Sequence, residues 1–334
     1  MNFPRILKKR KGYIDRIKPF MQKSVAKVLT GQRRVGKSFL LYQLIEEILA
    51  EEPDANIIYV NLEDFTFSSL QTAEDLHSYI ISHSKEKVKN YIFIDEIQDI
   101  PGFEKVIRSL LLNEDNDIYI TGSNAKMLSG ELATYLSGRY IEFKIYSLSY
   151  SEFLEFHGLT ESETSYELYS RYGGLPYLLN LPLEDETVNE YLKSVYSTIV
   201  FRDVVSRYKL RNTLFLEKLI QFLSENIGNL FSAKNISDYL KSQHTAISVN
   251  QIQSYTEYLN NAFLIHRVER YDLIGKRVFE IGEKYYFENM GIRNIVIGYR
   301  ITDKAKILEN LVYNHLLTRV RDNILKSKEQ KNIQ

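Results

Sequence analysis

The chain predicts an α/β fold: a parallel sheet with helices on both faces, followed by a mostly helical region. Three observations lead there. Over residues 1–150, short apolar runs alternate with amphipathic stretches, the pattern of strands joined by crossover helices. The first such run passes directly into a glycine-bracketed loop and then a helical stretch. From about Ser149 the alternation stops and helical periodicity takes over.

The elements follow in order. Val25–Thr30, Asn56–Asn61, Tyr91–Asp95, Asp117–Thr121 and Tyr140–Ile145 read as strands, and Ser38–Glu51, Thr72–Ser82 and Gly102–Asn113 as the helices between them. Tyr150–His157, Thr164–Arg171 and Thr187–Tyr208 read as helices of a lid, interrupted by the turn Tyr172-Gly173-Gly174-Leu175-Pro176. Leu214–Asn226, Ser232–Ser242 and Ser248–Asn260 are three short helices. Phe263–Val268 and Arg277–Glu280 then read as strands around a glycine-containing turn, the order of a winged helix. The expected boundaries are 1–148 for the sheet domain, 149–211 for the lid, 212–285 for the winged helix and 286–334 for the remainder.

The chemistry is concentrated in two places. Gly31-Gln32-Arg33-Arg34-Val35-Gly36-Lys37-Ser38 has the Walker A spacing, set between a strand and a helix, with Phe39 as the next helical residue. Backbone N–H groups of such a loop wrap phosphates, the glycines permit close approach, and the helix aims its positive end at the anion. Lys37 is expected on the β- and γ-phosphates of ATP, and the Ser38 hydroxyl on Mg²⁺. The second place is Tyr91-Ile92-Phe93-Ile94-Asp95-Glu96, an apolar strand ending in two carboxylates. Asp95 is expected to anchor Mg²⁺, and Glu96 to orient and deprotonate an attacking water.

Composition bounds the rest. At 334 residues, two or three domains are expected, and 44% hydrophobic with 26% charged residues is a soluble globular profile. There are no cysteines, which excludes disulfides and thiolate zinc sites. No secretory signal precedes the first strand, and no run approaches the ~18 apolar residues of a membrane helix. A cytoplasmic location without membrane contact is expected. The zero net charge hides an asymmetry: residues 1–150 carry 20 basic and 20 acidic side chains, 151–204 carry 3 and 10, and 205–334 carry 20 and 13. Such neighbours can dock on one another, or the basic region can face nucleic acid.

These motifs, with Tyr119-Ile120-Thr121-Gly122-Ser123-Asn124 and Leu136-Ser137-Gly138-Arg139-Tyr140, resemble in kind and order a prokaryotic AAA-type P-loop ATPase family. Its members carry a winged helix and a C-terminal domain related to restriction endonucleases. The resemblance extends through Ile307-Leu308-Glu309-Asn310-Leu311-Val312-Tyr313. It implies that Ser123, with Asn124 as the alternate, senses the γ-phosphate. It implies that Arg139 contacts phosphate in cis or serves as an arginine finger for a neighbouring subunit. Gly174-Leu175-Pro176 resembles an element whose proline packs against the nucleotide. From Arg319 onward the sequence is a polar tail, without the Asp and Glu-x-Lys of the endonuclease-like core. Residues 286–334 therefore read as a remnant of that domain, and nuclease activity is not expected. The expected function is an Mg²⁺-dependent ATPase acting as a molecular switch or motor. The alternative is a nucleotide-sensing DNA-binding regulator with little turnover. A P-loop kinase is disfavoured because Glu96 supplies a water-activating carboxylate. The expected partners are ATP, an unidentified protein, and DNA through the winged helix, and an oligomer is compatible with the sequence.

Overall fold

The computed structural model describes residues 8–125, 135–136, 138–242, 247–269 and 282–331, with side chains to 318. The chain divides into two compact units, Met1–Ile145 and Tyr146–Gln334.

In the first unit, α1 (Lys11–Ile17) precedes β1 (Ala26–Thr30), α2 (Lys37–Glu51), β2 (Asn56–Asn61) and α3 (Ala73–His83). β3 (Asn90–Asp95), α4 (Phe103–Leu110), β4 (Asn116–Gly122) and β5 (Tyr140–Lys144) complete it. The five strands lie in the order β2-β3-β4-β1-β5, all neighbours parallel. β1, β3 and β4 are buried along their whole length, as strands covered on both faces must be. One face, bearing Val28, Ile58, Ile92, Ile94, Ile118 and Ile120, packs with Leu76 and Ile80 of α3 and Val106 and Ile107 of α4. Alternation along each strand sends Lys27, Leu29, Tyr91, Phe93 and Tyr119 to the other face. There Phe93 and Tyr119 stack at 4.5 Å, and Lys27 lies over Tyr119 and pairs with the buried Asp117. The expected strands and helices are present, with ends differing by at most three residues.

The second unit holds α5 (Tyr150–His157), α6 (Glu163–Tyr172) and α7 (Asp185–Thr198), the last running into a π-helix, Ile199–Ser206. Thr187–Tyr208 is therefore not one uniform helix. α8 (Thr213–Glu225), α9 (Ala233–Ser242) and α10 (Val249–Asn261) follow, then β6 (Ile265–Glu269) and β7 (Glu283–Phe287), which pair antiparallel. A bridge ties Phe231 to Glu283. The strand expected over Arg277–Glu280 lies outside the described residues. The boundary expected after residue 285 falls inside β7, because the ladder from Ile265 to Glu269 extends to Phe287.

α11 (Met290–Ile297) is the hub of this unit, packing on α6, α7 and α8. Its fully buried Arg293 bonds the Ser224 carbonyl at 2.9 Å and the Asp303 carboxylate at 2.5 Å. Gly291 is required there: a Cβ would sit 2.0 Å from the Tyr172 carbonyl oxygen. α12 runs from Lys304 to Lys331, so the polar C-terminal stretch continues one helix. Among the described residues, no helix is long and apolar enough to cross a membrane.

Candidate functional site

The parallel sheet sets the geometry. β4 lies between β1 and β3, so the loop after β1 and the two carboxylates ending β3 open at the same, carboxyl edge with one strand between them. Ligands of open α/β sheets bind at that edge.

The loop 31–36 is built on backbone conformations that few residues adopt. Gly31 has φ +153°, and a Cβ there would lie 2.1 Å from the Ile145 carbonyl oxygen. Gly36 is left-handed at φ 95° and opens α2. Arg34, an exposed non-glycine residue, also has positive φ, 68°. Gln32, Arg33 and Val35 are buried, whereas Phe39 is exposed on α2. Arg33 pairs with Glu63 at 2.9 Å. Lys37 is folded into the loop: Nζ donates to the carbonyls of Gly31 and Gln32, both at 3.0 Å, and stands 3.8 Å from Glu96 Oε1.

The carboxylate pair has two different environments. Burial pushes the Asp95 carboxyl above the usual carboxylate range, against hydrogen bonds from Ser38 and Thr121. The Ser38–Asp95 contact joins the two residues expected to hold Mg²⁺. Their donors are hydroxyl and carboxylate oxygens, a set that suits a hard cation taking its remaining ligands from phosphates and water. Among the described residues no group of three or more His, Asp or Glu is placed to hold a metal ion. For Glu96 burial acts upward too, but the Lys37 and Arg33 charges, with Gln98 and Ser123, outweigh it and hold its carboxyl below the ordinary value. Glu96 is therefore ionised at neutral pH while almost fully buried. Its backbone is left-handed at φ 57°, a conformation that costs a non-glycine residue roughly 1–3 kcal/mol and concentrates at functional sites.

Thus Gly31, Gln32, Arg33, Arg34, Val35, Gly36, Lys37, Ser38, Asp95, Glu96 and Ser123 gather at one edge. The Ser123 hydroxyl is buried close enough to Glu96 to favour its charged form, without hydrogen-bond geometry to any described group. Arg139 is elsewhere. The register pairs Ala26 with Tyr140, and Ala26 N–H donates to the Arg139 carbonyl, which puts Arg139 at the amino edge of the sheet. The phosphate loop is five residues farther along β1, about 16 Å at ~3.3 Å per residue. The parallel ladder thus holds Arg139 and the phosphate loop at opposite edges of the sheet. Pro176 belongs to the second unit, where it opens a 3-10 turn, Pro176–Asn180.

Four contributors carry no expected role. The Thr121 hydroxyl donates to Asp95 Oδ1 at 2.5 Å and accepts from Glu96 N–H at 2.9 Å. Gln98 Nε2 donates to Glu96 Oε2 at 2.5 Å. Tyr59 OH is 3.5 Å from Asp95 Oδ2. Arg10 Nη1 donates to the Val35 carbonyl at 3.2 Å. Thr121 and Gln98 stand inside motifs recognisable in the sequence, as polar residues beside the two carboxylates' strand ends. For Arg10, one of several basic residues before β1, no sequence signal exists.

An AAA domain family matches residues 23–154, and a family described as a domain of unknown function matches residues 163–303. An uncharacterized protein of Haemophilus influenzae is 37% identical over 322 residues, covering 93% of this chain and 78% of that one. An uncharacterized protein of Methanocaldococcus jannaschii is 31% identical over 306 residues, with 88% of this chain and 66% of that one covered. The chain thus spans about two thirds to three quarters of the length of these relatives. Among solved structures, a Walker-type ATPase of Pyrococcus abyssi superposes with a TM-score of 0.58 at 16% identity, covering 87% of this chain and 96% of that one. At this identity the likeness is one of fold.

Proposed function

Since this chain belongs to the AAA-type P-loop ATPases, we propose that it binds ATP with Mg²⁺ and hydrolyses the γ-phosphoryl bond. The observation that carries the reading is the buried Glu96 carboxylate held 3.8 Å from Lys37 Nζ at the mouth of the loop. The loop N–H groups and the α2 terminus receive the phosphates, and Lys37 exchanges its two carbonyl partners for phosphate oxygens. Ser38 and Asp95 hold Mg²⁺, which when bound neutralises charge on the phosphate oxygens. Glu96 accepts a proton from the water that attacks in line, and Ser123 reads the γ-phosphate. Pro176 is proposed to report nucleotide state to the second unit, and Arg139 to act, if catalytically, on a neighbouring subunit.

The purpose of turnover is taken to be a conformational switch or motor. Three helices followed by an antiparallel strand pair, with the bridge at Phe231, support a winged helix over α8–β7. The exposed positions of α10 include Asn250, Gln253 and Glu257, and the helix has no lysine or arginine. That face is suited to protein contact rather than to DNA phosphates. The test is steady-state phosphate release with Mg²⁺, with EDTA, and with or without duplex DNA. Turnover that needs Mg²⁺ and is indifferent to DNA supports the reading. Absence of turnover under all conditions, with ATP bound, favours the nucleotide-sensing regulator.

A further inference from the structure

We infer that Thr121 is a positioning residue that sets the metal-holding and water-activating carboxylates through one hydroxyl. The inference rests on the ATPase reading above and deepens it.

With Asp95 ionised, as a metal-holding carboxylate must be, the proton count leaves Thr121 a single arrangement. A backbone N–H can only donate, so the Thr121 oxygen must accept from Glu96 N–H. Its one proton is then committed to Asp95 Oδ1. The relay runs from the Glu96 backbone through Thr121 to Asp95, and all three residues are buried. Its two ends are the groups whose relative placement matters for in-line attack.

Glu96 needs such a hold. Its left-handed backbone persists only if the surroundings over-determine it. Pairing of β3 with β4 ends at Ile94 and Ile120, and the Glu96 N–H just beyond it donates to the Thr121 hydroxyl instead of to a ladder carbonyl. Thr121 supplies the partner the ladder does not. β4 delivers it in register beside Leu29, one residue before the strand partner of Thr30 that leads into the phosphate loop. Loop, metal-holding carboxylate and base are therefore referred to a single strand end. Gln98 braces the Glu96 carboxylate from within the following turn but leaves the backbone untouched.

Thr121→Val keeps the shape and removes the hydroxyl, whereas Thr121→Ser keeps the hydroxyl and removes the methyl. Thr121→Val should bind ATP within a few-fold of wild type and lose roughly 10–100-fold in kcat, the penalty of a misplaced catalytic group. Thr121→Ser should stay within about 3-fold of wild type, since both hydrogen bonds survive. Should Thr121→Val not fold, Thr121→Ala against Thr121→Ser makes the same comparison. Wild-type kcat in the hydroxyl-lacking variant overturns the inference. So does a serine variant as impaired as valine, which makes the methyl packing responsible. Glu96→Gln run alongside separates the two levels. Full activity there sinks the ATPase assignment of Glu96, whereas an inactive Glu96→Gln beside an unaffected Thr121→Val sinks only the role of Thr121.

Discussion

Replacing Gly31 by alanine perturbs the loop at its tightest point. The new Cβ would lie 2.1 Å from the Ile145 carbonyl oxygen and 3.3 Å from Val35 Cγ2. The oxygen is backbone, and its residue is tied by Ile145 N–H to the Thr30 carbonyl at 2.6 Å, so it cannot rotate away as a side chain could. More than 1 Å of movement is needed to reach ordinary contact. Yielding breaks the last hydrogen bond beyond β5, about 1 kcal/mol, and the φ of +153° adds roughly 1–3 kcal/mol of strain for a residue with a side chain. The sum is about 2–4 kcal/mol, or roughly 5–15 °C in the midpoint of a unit this size. Thermal unfolding followed by circular dichroism measures it. Gly102→Ala is the control: φ there is +76° but no atom lies within 4 Å, so only the conformational part, about 1 kcal/mol, is expected. Equal midpoints for Gly31→Ala and Gly102→Ala refute the close-approach argument.

Lys37→Ala should abolish tight ATP binding, measurable by calorimetry, and retained wild-type affinity would discredit the loop assignment. An Arg139→Ala chain mixed with a Glu96→Gln chain should regain hydrolysis if Arg139 works across a subunit interface, where such fingers contribute 10³–10⁵ in rate. A dead mixture, with activity per chain flat in concentration, leaves Arg139 a surface residue. On α2, hydrogen bonds from Lys18 and Lys9 hold the Glu47 carboxyl down at about 2. A depressed carboxylate stabilises above its unfolded value and loses that contribution as pH falls toward about 2. Both lysines are substantially exposed, so Glu47→Gln should cost only roughly 1 kcal/mol at neutral pH in urea titrations, with the gap to wild type closing below pH 3. A constant gap across that range contradicts the pairing.

The sheet was legible because its strands are mostly apolar and its phosphate loop is bracketed by Gly31 and Gly36. Their φ values are what those glycines permit. The carboxylate pair was legible from Asp95-Glu96 at a strand end, but their opposite proton affinities were not. Those depend on Lys37 and Arg33, which tertiary folding brings to Glu96 and not equally to Asp95. Arg139 shows how sequence order misleads: it follows Asn124 of the sensor segment by fifteen residues, and the parallel register returns it to the amino edge. Periodicity reads Thr187–Tyr208 as one helix and ends the second strand of the pair at Glu280, so it misses the π-helix at Ile199–Ser206 and β7 at Glu283–Phe287. Thr121 was hidden differently. A threonine in a strand is ordinary, and only the left-handed turn at Glu96 gives its hydroxyl two partners.

The assignment of Glu96 as the base of an ATP hydrolysis reaction is tested most directly by Glu96→Gln, with ATP affinity and phosphate release measured on the same preparation. The amide keeps the size of the side chain but cannot take a proton from water. ATP with Mg²⁺ should bind at least as tightly as to wild type, because a buried negative charge beside the phosphates has been removed. Phosphate release should fall by roughly 10²–10⁴-fold. Tight binding with wild-type phosphate release would contradict the assignment and place the base elsewhere.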